Sequence, residues 1–161
     1  MKLETLLRES EESILDEAFS DLQRSQAHHY EKAGEAFTRE RLRNLFGLVV
    51  TAITTRSLTS LSAYADRIAT ERFDAGFDIS EVQMAFNSLE EAMWRRVVAA
   101  EPPSELAEAI GLLSTVLGFG KDTVARKYVS LASQKHVPSL DLKALFAGTE
   151  AAGTPTEWTQ P

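Results

Sequence analysis

The sequence predicts an all-α protein: a bundle of about five helices with a long last helix, then a short C-terminal helix and a flexible tail. Three observations carry this. Apolar residues recur every three or four positions, most clearly at Leu42, Leu45, Phe46, Val49, Val50 and Ile53. No stretch shows the strict alternation of a half-buried strand, and there is no internal repeat. Gly76, Pro102-Pro103 and Pro138 fall between the periodic stretches, where helices are expected to stop.

In chain order, Lys2 to about Gln26 reads as one helix, with Leu3, Leu6, Leu7, Ile14, Leu15, Ala18, Phe19 and Leu22 inward. Its other face is acidic, with Glu9, Glu11, Glu12, Asp16, Glu17 and Asp21, and reads as a solvated face. Ala27 to Phe37 reads as a loop with a helical turn. Thr38 is placed to cap the second helix, since its hydroxyl can accept from the orphan N–H groups of a first turn. A third helix follows Ser57, with Leu58, Leu61, Ala65 and Ile68 inward, and ends near Asp74.

A tight joint comes next. Gly76 suits the left-handed position past a helix end, where a side chain would clash. Asp78 and Glu81 have the spacing of a capping box, and Phe77 and Val82 that of a hydrophobic staple. Val82, Phe86, Leu89, Met93 and Val97 then form one face of the fourth helix, which stops before Pro102. The fifth runs from near Ser104 to about Gln134, on the order of 45 Å at ~1.5 Å per residue. Leu106, Ile110, Leu113, Leu117, Gly120, Val124 and Leu131 approximate a heptad seam beside a stripe of small residues, Gly111, Ser114 and Gly118. One pattern serves two packings: a neighbour in the same chain or a second subunit. The candidate interface residues are therefore Leu113, Leu117, Val124 and Leu131, with Trp94, which falls between core and surface on the fourth helix. Ser139 to Phe146 reads as a short helix and the Gly-, Ala-, Thr- and Pro-rich remainder as a disordered tail. The expected division is a helical domain over 1–136 and a short helix with tail over 137–161.

Composition narrows the function classes. A chain of 161 residues suits one domain with a sizeable core. The net charge of -7 disfavours nucleic acid as a partner, because a phosphate backbone repels it on average. With no cysteine, thiol catalysis, disulfides and cysteine-ligated metals are excluded. The longest uncharged runs, 44–55 and 109–120, fall short of the ~20 residues a membrane span needs, and the N-terminus has no signal-peptide core. The expected location is the cytoplasm.

No pattern points to catalysis. The pairs Glu11-Glu12 and Glu90-Glu91 have no histidine or nucleophile beside them, and sequence neighbours on a helix diverge by about 100°. No phosphate-binding glycine loop and no Glu-x-x-His di-iron signature occurs. His28 and His29 are adjacent, whereas helical ligand pairs sit three or four apart, and His136 is remote. These histidines read as surface or loop residues, with no catalytic, cofactor or metal site assigned. A haem-binding, globin-like sensor is the rival reading, but it needs a proximal histidine deep in a helix.

Three stretches carry a resemblance: LLRESEESILDEAF, RERLRNLFGLVVTAI and above all ERFDAGFDISEVQMAFNSLEEAMWRRV. With them the chain resembles the N-terminal domain of RsbRD-type RsbT co-antagonist proteins, regulators of bacterial stress signalling, over about residues 3–130. The resemblance implies a helical sensor or interaction module that precedes an output domain, and it carries no catalytic residues. Too few residues follow Gln134 for such a domain, so the expectation is a stand-alone module acting in trans, or a piece of a longer chain. The function expected is non-catalytic signalling through a bound ligand or a protein partner, as a homodimer.

Overall fold

The computed structural model describes residues 2–136. Among these are seven helices and no strand: α1 Leu3–Glu9, α2 Glu11–Arg24, α3 His28–Ala33, α4 Glu35–Thr55, α5 Thr59–Asp74, α6 Ile79–Ala100 and α7 Pro103–His136. The class is all-α, as the periodicity predicts. The chain divides into two compact units, Met1–Tyr128 and Val129–Pro161. Of the second, only the last two turns of α7 are described. The expected helix at Ser139–Phe146 and the tail lie outside the described residues.

Two helices more than expected arise from local chemistry. The first predicted helix bends at Ser10, whose φ of -102° and ψ of 6° separate α1 from α2. Backbone bonding persists through the bend, with Ser10 N–H donating to Leu6 O and Ile14 N–H to Ser10 O. The buried Ser10 hydroxyl accepts from Arg96 Nε of α6 at 2.8 Å, which ties the bend to the core helix. The predicted loop after Ala27 is mostly helix, because Tyr30 turns inward and anchors α3.

Thr38 is not a cap. Gly34, at φ 97°, turns the chain so that α4 starts at Glu35. Thr38 is thereby buried inside the first turn, and its hydroxyl donates back to Gly34 O at 2.9 Å and Tyr30 O at 3.3 Å.

The predicted joint is present. Past α5, Gly76 has φ 84°, Phe77 N–H donates to Arg72 O and Gly76 N–H to Phe73 O, the paired bonds of a Schellman turn. Asp78 Oδ1 accepts from Ser80 N–H, and Glu81 Oε2 accepts from Asp78 N–H at 2.9 Å, closing the capping box. Phe77 and Val82 are both buried beside it. Asp78→Ala should therefore cost about 1 kcal/mol. Gly76→Ala should cost ~1–2 kcal/mol, because the left-handed region crowds a Cβ. Thermal melts check this, and a Gly76→Ala protein melting with its parent would contradict the turn.

α6 is the central helix. Val82, Phe86, Leu89, Met93 and Val97 are all buried, and α2 is its most extensive neighbour, with α1, α3, α4 and α5 also against it. The acidic face of α2 is rimmed by cations: Arg43 meets Glu12 at 2.8 Å, Arg39 meets Asp16 at 2.6 Å and Arg95 meets Glu17 at 2.7 Å. Such exposed pairs contribute ~0–1 kcal/mol each and mainly set helix register. Pro103 occupies the first helical position of α7, where its missing N–H costs nothing.

Candidate functional site beneath the α5–α6 joint

Three buried polar residues, Thr38, Arg72 and Glu81, gather at the joint, while Ser10 and Glu101 lie toward the other end of α6. Arg72 ends the inward stripe of α5, four positions after Ile68, and only 3% of its surface is exposed. Its guanidinium lies 4.9 Å from the Phe37 ring, 5.5 Å from Phe77 and 5.9 Å from Tyr30. Arg41 of α4 also lies 4.9 Å from the Phe37 ring, so one aromatic ring serves two cations. Ring faces compensate part of the cost of burying charge. The carboxylate paired with Arg72 is the half-exposed Glu71, at 3.7 Å. The Nε atoms of Arg72 and Arg41 are buried and meet no hydrogen-bond partner among the described residues.

These groups line a cavity of about 20 Å³, with Tyr30, Thr38, Tyr64 and Phe86. A larger hollow of about 160 Å³ adjoins it across Leu22, Tyr30 and Thr38, and includes Phe19 and Ala27. Burial pushes the Tyr30 phenol up, against the opposing pull of Arg72. Burial likewise raises Tyr64. Both hydroxyls therefore stay neutral, and that of Tyr30 accepts a hydrogen bond from the Arg72 side chain.

A second cluster sits on the joint itself. Glu81 Oε1 accepts from the His29 backbone N–H at 3.0 Å, while Oε2 lies 2.7 Å from His29 Nδ1. That side-chain contact is not aligned as a hydrogen bond, so it acts as an ion pair when the ring is protonated. The His29 ring packs 5.1 Å from Phe77. From α7, the Tyr128 hydroxyl donates to Phe77 O at 3.1 Å, and its ring meets Phe73 edge-on at 5.5 Å. Four helices, α3, α5, α6 and α7, thus converge on one turn.

Burial raises the Glu81 carboxyl, but backbone N–H donation from His29 and Asp78, with the His29 ring, brings it below its ordinary range. A carboxylate depressed in the folded state stabilises above its unfolded pKa, about 4.3, and that contribution is lost as the pH falls through the folded value. The melting temperature of the parent should therefore fall more steeply below about pH 4 than that of Glu81→Gln. Parallel curves would remove Glu81 from the acid response.

The residues expected at a subunit interface separate into two groups. Leu113, Leu117 and Val124 have no exposed surface and lie in the chain's own core cluster, one of the two packings the heptad pattern allows. Helix α7 turns them toward the bundle, with Gly120 against Phe86. Trp94 remains 37% exposed, and Leu131 lies in the second unit. Trp94 borders an open groove with Asn87, Glu90, Glu91, Ile110 and Ser114. A Cβ added at Gly111 or Gly118 would meet no atom within 4 Å, so no other helix of the described chain uses that stripe for close approach.

The histidines also separate. His28 is exposed, 3.8 Å from Glu31. His29 is no idle surface residue, because Glu81 and Phe77 hold it. The side chain of His136 lies outside the described residues. Among the described residues no group of three or more His, Cys, Asp or Glu is placed to hold a metal ion. No helix of the described residues is long and apolar enough to cross a membrane.

Sequence reasoning missed Arg72, Arg41, Tyr30 and His29. For Arg72 a signal existed: it continues Leu61, Ala65 and Ile68 at helical spacing, which alone turns it inward. For His29 there was none, since its partner Glu81 lies 52 positions on.

The chain matches the family model of the RsbT co-antagonist protein rsbRD N-terminal domain over residues 8–132, and it belongs to that family of stress-signalling regulatory domains. No curated protein and no solved structure matched the chain.

Proposed function

We propose that the chain is a non-catalytic module of a bacterial stress-signalling pathway, working in the cytoplasm as a homodimer that takes up a small ligand or engages a protein partner. The convergence of four helices on the α5–α6 joint carries this reading. A change at the cavity around Arg72 reaches Phe77 directly, and through the Tyr128 bond it reaches α7. Non-catalytic action is supported by the structural uses of three buried polar groups: Glu81 holds backbone N–H groups, Thr38 carbonyls and Ser10 an arginine.

The homodimer contact is assigned to the α6–α7 surface. Trp94 and Val98 are one helical turn apart and are exposed, and Gly111 and Ser114 beside that surface let a second backbone approach closely. Aromatic anchors at a two-fold contact count twice. Sedimentation at micromolar concentration tests it. The parent should be a dimer and Trp94→Glu a folded monomer. A monomeric parent removes the dimer, and a dimeric Trp94→Glu moves the contact elsewhere.

The rival reading is a haem or small-ligand sensor. Its small-ligand half is favoured by the paired cavities. Its haem half has less support: no histidine lines either hollow, and the His29 ring is held by Glu81. Added haem should give no Soret band.

A further inference from the structure

We propose that the cavity between Arg72 and Arg41 is a binding site for a monatomic anion of the chloride or bromide class. This deepens the ligand half of the reading above by naming a ligand chemistry, and it does not depend on the dimer.

Three observations converge. The first is charge. Two guanidiniums line the cavity, and no carboxylate does. Glu71 reaches Arg72 only at 3.7 Å from a half-exposed position. Glu81, the other acid near Tyr30, is occupied by His29 and Asp78. The Tyr30 hydroxyl accepts from the Arg72 side chain, but a neutral oxygen does not balance a buried charge, so an anion there offsets what it and the aromatic rings do not.

The second is hydrogen bonding. The Nε atoms of both arginines are buried and unpartnered, and Arg72 keeps only 3% of its surface exposed. An Nε–H is a donor with no acceptor capacity. Tyr30 and Tyr64 add neutral hydroxyls to the same wall. The Thr38 hydroxyl proton is already given to the carbonyls of Gly34 and Tyr30. A lining rich in donors suits an acceptor-only guest, whereas a water there would have its own two protons to place.

The third is size. About 20 Å³ is room for roughly one water-sized sphere. A single halide ion fits such a space. Tetrahedral oxyanions and organic carboxylates are larger and would need the adjoining hollow as well.

The site is also placed to act. Arg72 accepts the Phe77 N–H on its carbonyl at 2.9 Å, and its guanidinium lies under the Phe77 ring. Anion binding at the guanidinium therefore stiffens the turn on which α3, α6 and α7 meet.

The test uses the whole chain, exchanged into sodium gluconate and titrated with sodium chloride or bromide at constant ionic strength, with sodium sulfate as control. Chloride and bromide should raise the melting temperature by about 5–10 °C at a hundredfold excess over Kd, and sulfate should not. Arg41→Met, whose side chain is only partly buried, should fold and lose most of that response; Arg72→Met should lose it entirely. Should Arg72→Met fail to fold, chloride-35 line broadening on the parent, abolished in Arg41→Met, reads the same site. A bromide-soaked crystal should show an anomalous peak between the two guanidiniums. Equal melting in chloride and gluconate, or a response shared by sulfate, overturns the proposal. So does a response that survives Arg41→Met, and so does a bromide peak only elsewhere. Stabilisation by short carboxylates but not by halides would also overturn it, and would move the ligand to the larger hollow. Each of these results leaves the sedimentation test of Trp94 untouched.

Discussion

Leu117→Asp combined with Val124→Asp should unfold the chain rather than release a folded monomer from a dimer. Both side chains are fully buried within the core cluster that includes Phe86, Leu89 and Met93. Each substitution forfeits ~1.5–3 kcal/mol of apolar burial. Each also places a carboxylate where nothing is positioned to pair with it, at a further cost of several kcal/mol. The sum is comparable with the whole stability of a typical domain, about 5–15 kcal/mol. Circular dichroism should show most of the helical signal lost at 25 °C, with sedimentation reporting an expanded or aggregated chain. A helical, monomeric double variant would mean that the two residues face a partner copy and that the α7 packing is wrong. Trp94→Glu is the matched control. It changes a partly exposed position on α6, so it should leave the helical signal intact.

The contrast between these variants shows what the heptad pattern holds and what it leaves open. Leu113, Leu117 and Val124 were legible as one face of one helix, and that face is real. The pattern does not say whether the opposite wall belongs to the same chain, because knobs fit holes alike in both cases. The joint at Gly76, Asp78 and Glu81 was legible in full, since a Schellman turn and a capping box are made by residues within five positions of one another. The unbroken first helix and the Thr38 cap went astray for the opposite reason. A bend at Ser10 held by Arg96 and a helix start shifted by Gly34 depend on contacts that helical periodicity and a capping rule do not include. The cavity under the joint was hidden for the same cause. Tyr30, Arg41, Tyr64 and Arg72 come from three helices, and nothing in their separate neighbourhoods announces that two cations share one ring.

Gly120→Ala should destabilise by up to about 3 kcal/mol, while Gly111→Ala and Gly118→Ala should stabilise by up to about 1 kcal/mol each. All three glycines lie in α7, so helix propensity alone favours alanine at each. Space decides the sign. A Cβ at Gly120 would come within 2.7 Å of Phe86 Cε1, with two more ring atoms at 3.5 and 3.7 Å. Phe86 is 2% exposed on the central helix, so α7 must lift away or the ring must leave its rotamer toward the small cavity it lines. At Gly111 and Gly118 nothing lies within 4 Å. For a chain of this size 1 kcal/mol moves the melting temperature by roughly 2–4 °C, so the three single variants should melt visibly on opposite sides of the parent. Phe86→Leu should recover part of the Gly120→Ala loss, because its shorter side chain vacates the space the methyl needs. That recovery ties the effect to this contact and not to the backbone of α7. The Gly111 variant carries a second reading. If a second copy approaches over Gly111 and Ser114, the added methyl weakens the dimer in sedimentation even as the isolated fold gains stability. Should Gly120→Ala melt at or above the parent, α7 does not cross α6 at Phe86, and the burial of Leu117 and Val124 loses its structural basis.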